Sequence, residues 1–311
     1  MRNIFVLSIL VFLFAECDSV VEFDVPEGDQ VLVVTSILNP DSTISAFVES
    51  SKFVLEDETR KKISNASVTV FDESGEQIIQ LDYSEDLGRY ISTVYPEIGK
   101  KYRIEVSAEG YKKVNATTQI SEERVVAKLL PRETGYPRTV QLSDSPQKNY
   151  YEFLIITEAK YYEDDSLRAT DSFSEYNMFL TDVNSVFDEY ANNLGMVFLD
   201  DVIFNGKIEN IDLEYGLPIN RCGSWGEEIN CYTVYDVRLN IRQLSEEYFK
   251  YYQSSGLQRE IDGDPFSEPV NIFSNIENGL GIFAGFNNNY FDMITDTVYS
   301  YSYYEDQYTD Q

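Results

Sequence analysis

The chain contains no histidine. That absence removes Ser-His-Asp and Cys-His nucleophile systems together with imidazole-based zinc sites. Basic residues are scarce as well: 24 Lys and Arg stand against 54 Asp and Glu, a formal charge of -30. Nucleic-acid binding needs clustered Lys and Arg against phosphate, so nucleic acid is excluded as a partner class. The same balance argues against lying flat on an anionic membrane. Cysteine occurs three times, at Cys17, Cys222 and Cys231. The N-terminal apolar run, residues 4–14, is broken only by Ser8 and is too short to span a bilayer well.

What remains is an ordinary globular composition, 43% hydrophobic and 25% charged. A length of 311 residues is a prior of about two domains. There are 24 Tyr and 19 Phe, and both residue types favour strands. The expected class is therefore mainly β.

The apolar run ends at Phe14-Ala15-Glu16-Cys17, which suits a signal peptide over residues 1–16 followed by a lipid-bearing cysteine. Several acyl chains on Cys17 would hold the protein durably, since a single chain is marginal. Residues 17–27 then form a short acidic tether to the lipid anchor. Glu16 departs from the small residue expected before such a cysteine. The alternative is an ordinary signal peptide cut elsewhere, leaving Cys17 free. Cleavage removes Arg2 and Glu16 together, so the mature charge stays at -30.

With Cys17 acylated, Cys222 and Cys231 remain as a pair in an oxidising compartment. They bracket the turn-rich residues 223–230, so a disulfide-closed hairpin is expected. Such a short loop contributes roughly 2–3 kcal/mol in the chain-entropy model. A redox role lacks the C-x-x-C spacing it needs.

Residues 28–122 read as seven or so short strands, at 31–34, 45–49, 66–71, 77–81, 89–94, 101–106 and 113–120. Gly75, Gly88, Gly99 and Gly110 punctuate them as turn residues. That density argues for an antiparallel sandwich. The segments Asn65-Ala66-Ser67-Val68-Thr69-Val70, Gly88-Arg89-Tyr90, Lys101-Tyr102-Arg103-Ile104 and Gly110-Tyr111 resemble carboxypeptidase-regulatory-like, transthyretin-type sandwiches. Tyr90 and Tyr102 are expected to be core residues.

Residues 123–311 read as a second β-rich domain with one or two short helices. Residues 131–147 are a Pro-containing loop, 150–162 a long aromatic strand, and 166–193 polar and ambiguous, with 185–192 a candidate helix. Residues 232–241 alternate, with Tyr232, Val234, Val237, Leu239 and Ile241 as inward candidates. Ser245 can cap a helix whose first turn holds Glu246 and Glu247, with Gly256 as its stop. Residues 278–285, Asn-Gly-Leu-Gly-Ile-Phe-Ala-Gly, lack the Lys and the strand-then-helix setting of a phosphate loop, so they read as a turn into a strand. Tyr299, Tyr301 and Tyr303 alternate near the C-terminus, as an edge strand or a sticky aromatic surface would.

Carboxylates are the one reactive group in abundance. Asp200-Asp201 and Asp262-Gly263-Asp264 with Glu268 are the densest loop groups. A carboxylate-based glycan hydrolase would need two of them facing across a cleft. Asp262, Asp264 and Glu268 are also the candidate calcium ligands, although the full EF-hand spacing is absent.

Several stretches together resemble one family. Residues 17–26, Cys-Asp-Ser-Val-Val-Glu-Phe-Asp-Val-Pro, followed by 31–34, look like the start of a Bacteroidota lipoprotein family, the domain of unknown function 4249. Residues 198–207 look like its internal signature, and 245–252 with 269–285 like its C-terminal pair. The resemblance implies an outer-membrane lipoprotein, often encoded beside a TonB-dependent receptor. It brings no catalytic residue and no cofactor. The expectation is therefore a non-catalytic binding or accessory module at a TonB-dependent transporter, with an unknown ligand. A glycan hydrolase and an adhesin or envelope-structural protein are the alternatives.

Overall fold

A computed structural model describes residues 29–52, 59–122, 124–130, 139–163, 166–175, 179–180, 197–214, 231–261 and 267–300. All of these except Asp29 belong to one unit, residues 30–52 with 58–311. The molecule is mainly β, built as sandwiches, with one helix among the described residues.

The first sandwich uses β1 (Leu32–Leu38), β2 (Ser45–Ser50), β3 (Ser67–Phe71), β4 (Gln77–Ser84), β5 (Arg89–Ile91), β6 (Lys101–Ser107) and β7 (Val114–Gln119). Their apolar residues recur every second position, so one face of each strand is buried. Val68 and Val70 of β3 meet Tyr102, Ile104 and Val106 of β6 in this core, with Leu32, Val34 and Tyr90. Strand β4 carries the chain from one sheet to the other. Its first half pairs with β3 and its second half with β5. Tyr90 is a core residue with a polar end, as expected. Its hydroxyl donates to Ile63 O at 2.8 Å and accepts from Ala66 N at 2.7 Å, so a loop between β2 and β3 is pinned to β5. Tyr102 is buried as well and accepts from Glu97 N at 2.7 Å.

The second sandwich is organised on two long strands, β10 (Tyr150–Glu163) and β15 (Cys231–Leu244), antiparallel along their length. Strands β11 (Ser166–Glu175), β13 (Val197–Asp200) and β17 (Tyr290–Ser300) extend that sheet. A smaller sheet orders β12 (Phe179–Leu180), β14 (Ile208–Glu214), β9 (Thr139–Ser143) and β8 (Val126–Leu130). Alternation again decides the core. Tyr151, Phe153, Ile155 and Ala159 of β10 and Val237, Leu239 and Ile241 of β15 face Val140, Leu142, Ile211 and Leu213. Val237, Leu239 and Ile241 are buried as expected, and the side chains of Tyr232 and Val234, also read as inward, lie outside the described residues.

Strand β9 falls inside the stretch read as a loop. Its five residues, Thr-Val-Gln-Leu-Ser, bury only Val140 and Leu142, a signal too short to register against flanking prolines.

One helix, α1 (Glu246–Ile261), follows β15. Ser245 caps it as expected: its Oγ accepts from Tyr248 N at 3.3 Å and from Gly285 N at 3.2 Å. Tyr248 and Phe249 pack with Tyr150, Phe198, Ile282 and Phe286 on the outer face of the β10–β15 sheet. Gly256 is not the stop; the helix runs five residues beyond it. A mid-helix glycine costs roughly 1 kcal/mol, which is too little to end a helix held by that aromatic layer.

The two stretches are joined by β16 (Leu280–Asn287), which pairs with β1 in parallel from Val33↔Leu280 to Leu38↔Gly285. This is the glycine-rich segment read as a strand. Gly281 lies at φ +106°, and a Cβ there would overlap the Val34 carbonyl oxygen. A Cβ at Gly279 would come within 2.6 Å of Leu32 O. Glycine is what lets the two backbones approach. Beside this seam, Asn288 Oδ1 accepts from Asn240 Nδ2 at 2.9 Å and Arg242 Nε at 3.3 Å. The same side chain donates to Asn39 Oδ1 and Asp41 Oδ2, tying the β1–β2 turn to β15.

Candidate functional site

The start of α1, strand β7 and residues 273–277 enclose a shallow depression of about 230 Å³. Glu246, Glu247, Lys250, Asn115, Glu277 and the ring of Phe273 line it. Each element arrives for a local reason. The Ser245 cap orients the first turn, and acidic residues suit its positive end. Asn275 fixes residues 273–277, because its Oδ1 accepts from Phe283 N at 3.0 Å and its Nδ2 donates to Phe283 O at 2.7 Å. A bridge between Asn115 and Glu277 closes the side against β7.

The groups in this depression hold one another. Lys250 Nζ lies 2.7 Å from Glu246 Oε1 and 5.6 Å from the Phe273 ring centroid. That ammonium holds Glu246 below the usual carboxylate range, and Glu246 raises Lys250 in turn. Asn115 Nδ2 donates to Glu277 Oε2 at 3.0 Å, and Thr118 Oγ1 to Glu247 Oε2 at 3.3 Å. Burial, with Glu246 nearby, pushes Tyr150 up to about 12. A general acid needs a carboxyl held protonated near neutrality. Glu246 is shifted the opposite way. The arrangement offers acceptors, one ammonium and an aromatic wall, which is binding chemistry.

Among the described residues two carboxyls are shifted upward, and both are buried. Glu152 is 1% exposed, and burial raises its pKa against the pull of Arg242. Arg242 Nη1 lies 2.9 Å from Glu152 Oε2, and its guanidinium sits 4.4 Å from the Phe286 ring centroid. Asp201 is likewise 1% exposed and raised by burial.

Asp201 belongs to a clasp made by the turn after β9 and residues 200–207. Its Oδ2 accepts from Asn149 N at 2.5 Å and Asn205 Nδ2 at 3.3 Å. Asp144 accepts from Tyr151 Oη at 2.5 Å, Asn149 Nδ2 at 3.2 Å and Gly206 N at 2.8 Å. Phe204 anchors the loop in the core, while Val202 and Ile203 stay 65% and 40% exposed.

Asp200 and Asp201 are thus neighbours in sequence with separate environments. Asp200 lies on the surface side, 3.9 Å from Lys148 Nζ, and Asp201 is inside the clasp. Glu268 is exposed, while Asp262 and Asp264 lie outside the described residues. Among the described residues no three acidic or sulfur side chains gather to hold a metal ion. Cys17 and Cys222 also lie outside the described residues, so the expected pairing does too; Cys231 is the first residue of β15. Tyr301 and Tyr303 lie outside as well, and Tyr299 sits in β17 opposite Thr233. The depression was missed in sequence because its walls come from three distant segments. Only the Ser245-Glu246-Glu247 cap pointed to one of them.

A family model described as domain of unknown function, DUF4249, matches residues 18–290. No curated protein matches. Among solved structures, a two fibronectin type-III domain segment from chicken tenascin is similar at 11% identity. That match covers 69% of this chain and 88% of the other, with a TM-score of 0.18.

Proposed function

Because the chain belongs to the family described as domain of unknown function DUF4249, whose match spans residues 18–290, we propose that it is an exported, lipid-anchored binding protein of the outer membrane. It acts without catalysis, as an accessory module that presents its sandwiches to a TonB-dependent transporter. The observation that carries this reading is the position of Cys17, directly after the apolar run of residues 4–14 and before an acidic tether. The depression at the start of α1 is the ligand contact, since it sets the Lys250 ammonium and several acceptors beside the Phe273 ring. Cys222 and Cys231 close a disulfide hairpin at the start of β15.

Cross-linking mass spectrometry on intact cells tests place and partner together. The expected result is cross-links from this chain to a large β-barrel receptor, lost in Cys17→Ala. Cross-links confined to soluble proteins, or unchanged in that variant, would overturn the proposal. Peptide mapping without reduction reads the Cys222–Cys231 bond directly.

A further inference from the structure

Two Asn-Gly pairs lie among the described residues, Asn205-Gly206 and Asn278-Gly279. Such a pair is chemically weak, because the glycine nitrogen can close on the asparagine side-chain amide and no glycine Cβ stands in the way. Whether it closes depends on what holds the two groups. At the first pair both are held. Gly206 N donates to Asp144 Oδ2 at 2.8 Å and to Ser145 O at 3.1 Å. Asn205 Nδ2 donates to Asp201 Oδ2 at 3.3 Å and to Gln147 O at 3.5 Å.

The second pair is placed differently. Gly279 N has one acceptor, Ile276 O, at 3.3 Å. Asn278 is exposed, and its side-chain amide makes no hydrogen bond among the described residues. It is also the one non-glycine among the described residues with a positive φ, 60°. An L residue is strained there, so little resists its rotation out of the turn. The seam is what requires this pair. Gly279 must lack a Cβ to pass Leu32 O, and asparagine tolerates the left-handed turn that leads into it.

We propose that Asn278 is a spontaneous modification site, at which the folded protein deamidates. Hydroxide takes the Gly279 N–H proton. The nitrogen bonds to Asn278 Cγ, the Cγ–Nδ2 bond breaks, and the side-chain nitrogen takes a proton from bulk solvent and leaves as ammonia, which returns the hydroxide. Solvent then hydrolyses the five-membered imide at either carbonyl, giving aspartate or isoaspartate; nothing is oxidised or reduced. Either product puts a new carboxylate next to Glu277, which lines the depression at the start of α1. Isoaspartate also lengthens the backbone directly before the β1–β16 seam. This inference is independent of the proposed membrane role.

The test is peptide mass mapping of the purified protein after incubation at mildly alkaline pH, with and without urea. Electron-transfer fragmentation separates isoaspartate from aspartate. The expected result in the folded protein is conversion at Asn278 about tenfold faster than at Asn205, the ratio that one extra hydrogen bond on the attacking nitrogen sets. In urea the two rates should converge. Conversion at Asn205 that equals or outruns Asn278 in the folded protein would overturn the proposal. So would an Asn278 that stays intact while folded and converts only in urea. A gap that persists in urea would overturn it too, since local sequence and not the fold would then set the rates.

Discussion

Gly281→Ala should be among the most damaging single-methyl additions in the described chain. Two costs combine there. The residue sits at φ +106°, where an L side chain is strained by roughly 1–3 kcal/mol. Its Cβ would also overlap the Val34 carbonyl, which is backbone and has no rotamer to yield. Relief requires β1 and β16 to part along a parallel seam running from Val33↔Leu280 to Leu38↔Gly285. Phe283 and Ile282 on that strand serve the cores on opposite faces, so the shift reaches both. The sum should be about 3–5 kcal/mol, a large part of the 5–15 kcal/mol typical of a folded chain. Gly75 supplies the control, with φ +84° and nothing within 4 Å of an added Cβ. Gly75→Ala should cost only about 1 kcal/mol. Urea unfolding followed by tyrosine fluorescence and circular dichroism measures both. If Gly281→Ala unfolds at the same urea concentration as Gly75→Ala, the close backbone approach is not what the seam depends on.

Three further outcomes follow from buried polar groups. Arg242→Met strands the buried Glu152 carboxylate and should cost about 3–5 kcal/mol, whereas the double variant Glu152→Leu with Arg242→Met should recover most of it by urea midpoint. Tyr90→Phe leaves Ile63 O and Ala66 N without their partner and should cost about 1–3 kcal/mol by the same measure. Glu152 is raised in the folded state by burial, so its contribution is fully present below the unfolded glutamate pKa and is lost as pH rises through the folded value. Glu152→Gln should therefore show a shallower loss of stability on going upward from about pH 4.5, read as urea midpoints across that range.

The strands of the first sandwich are legible because each has one wet and one dry face. Residues 45–50, 67–71 and 101–107 alternate cleanly, and their burial follows that alternation. The start of α1 is legible from Ser245 and the acids after it, because capping is a local hydrogen bond. The end of α1 is not, because tertiary packing carries the helix past Gly256. The β1–β16 seam is invisible to periodicity: residues 33 and 280 pair through backbone bonds, and the glycines that allow it read equally as turns. The clasp is hidden for a related reason. Asp144, Asn149 and Asp201 have no repeating pattern, and only the fold brings the turn after β9 against residues 200–207. Carboxylate density drew attention to Asp200 and Asp201 as chemistry, whereas Asp201 is enclosed by amide donors that hold the loop.

Whether Cys17 carries the proposed lipid anchor is read out by intact-mass analysis of the chain extracted from cell envelopes. The expected species is a chain beginning at Cys17 with a diacylglyceryl thioether and an acylated amine. A chain cut elsewhere, or one with an unmodified thiol at position 17, would contradict it.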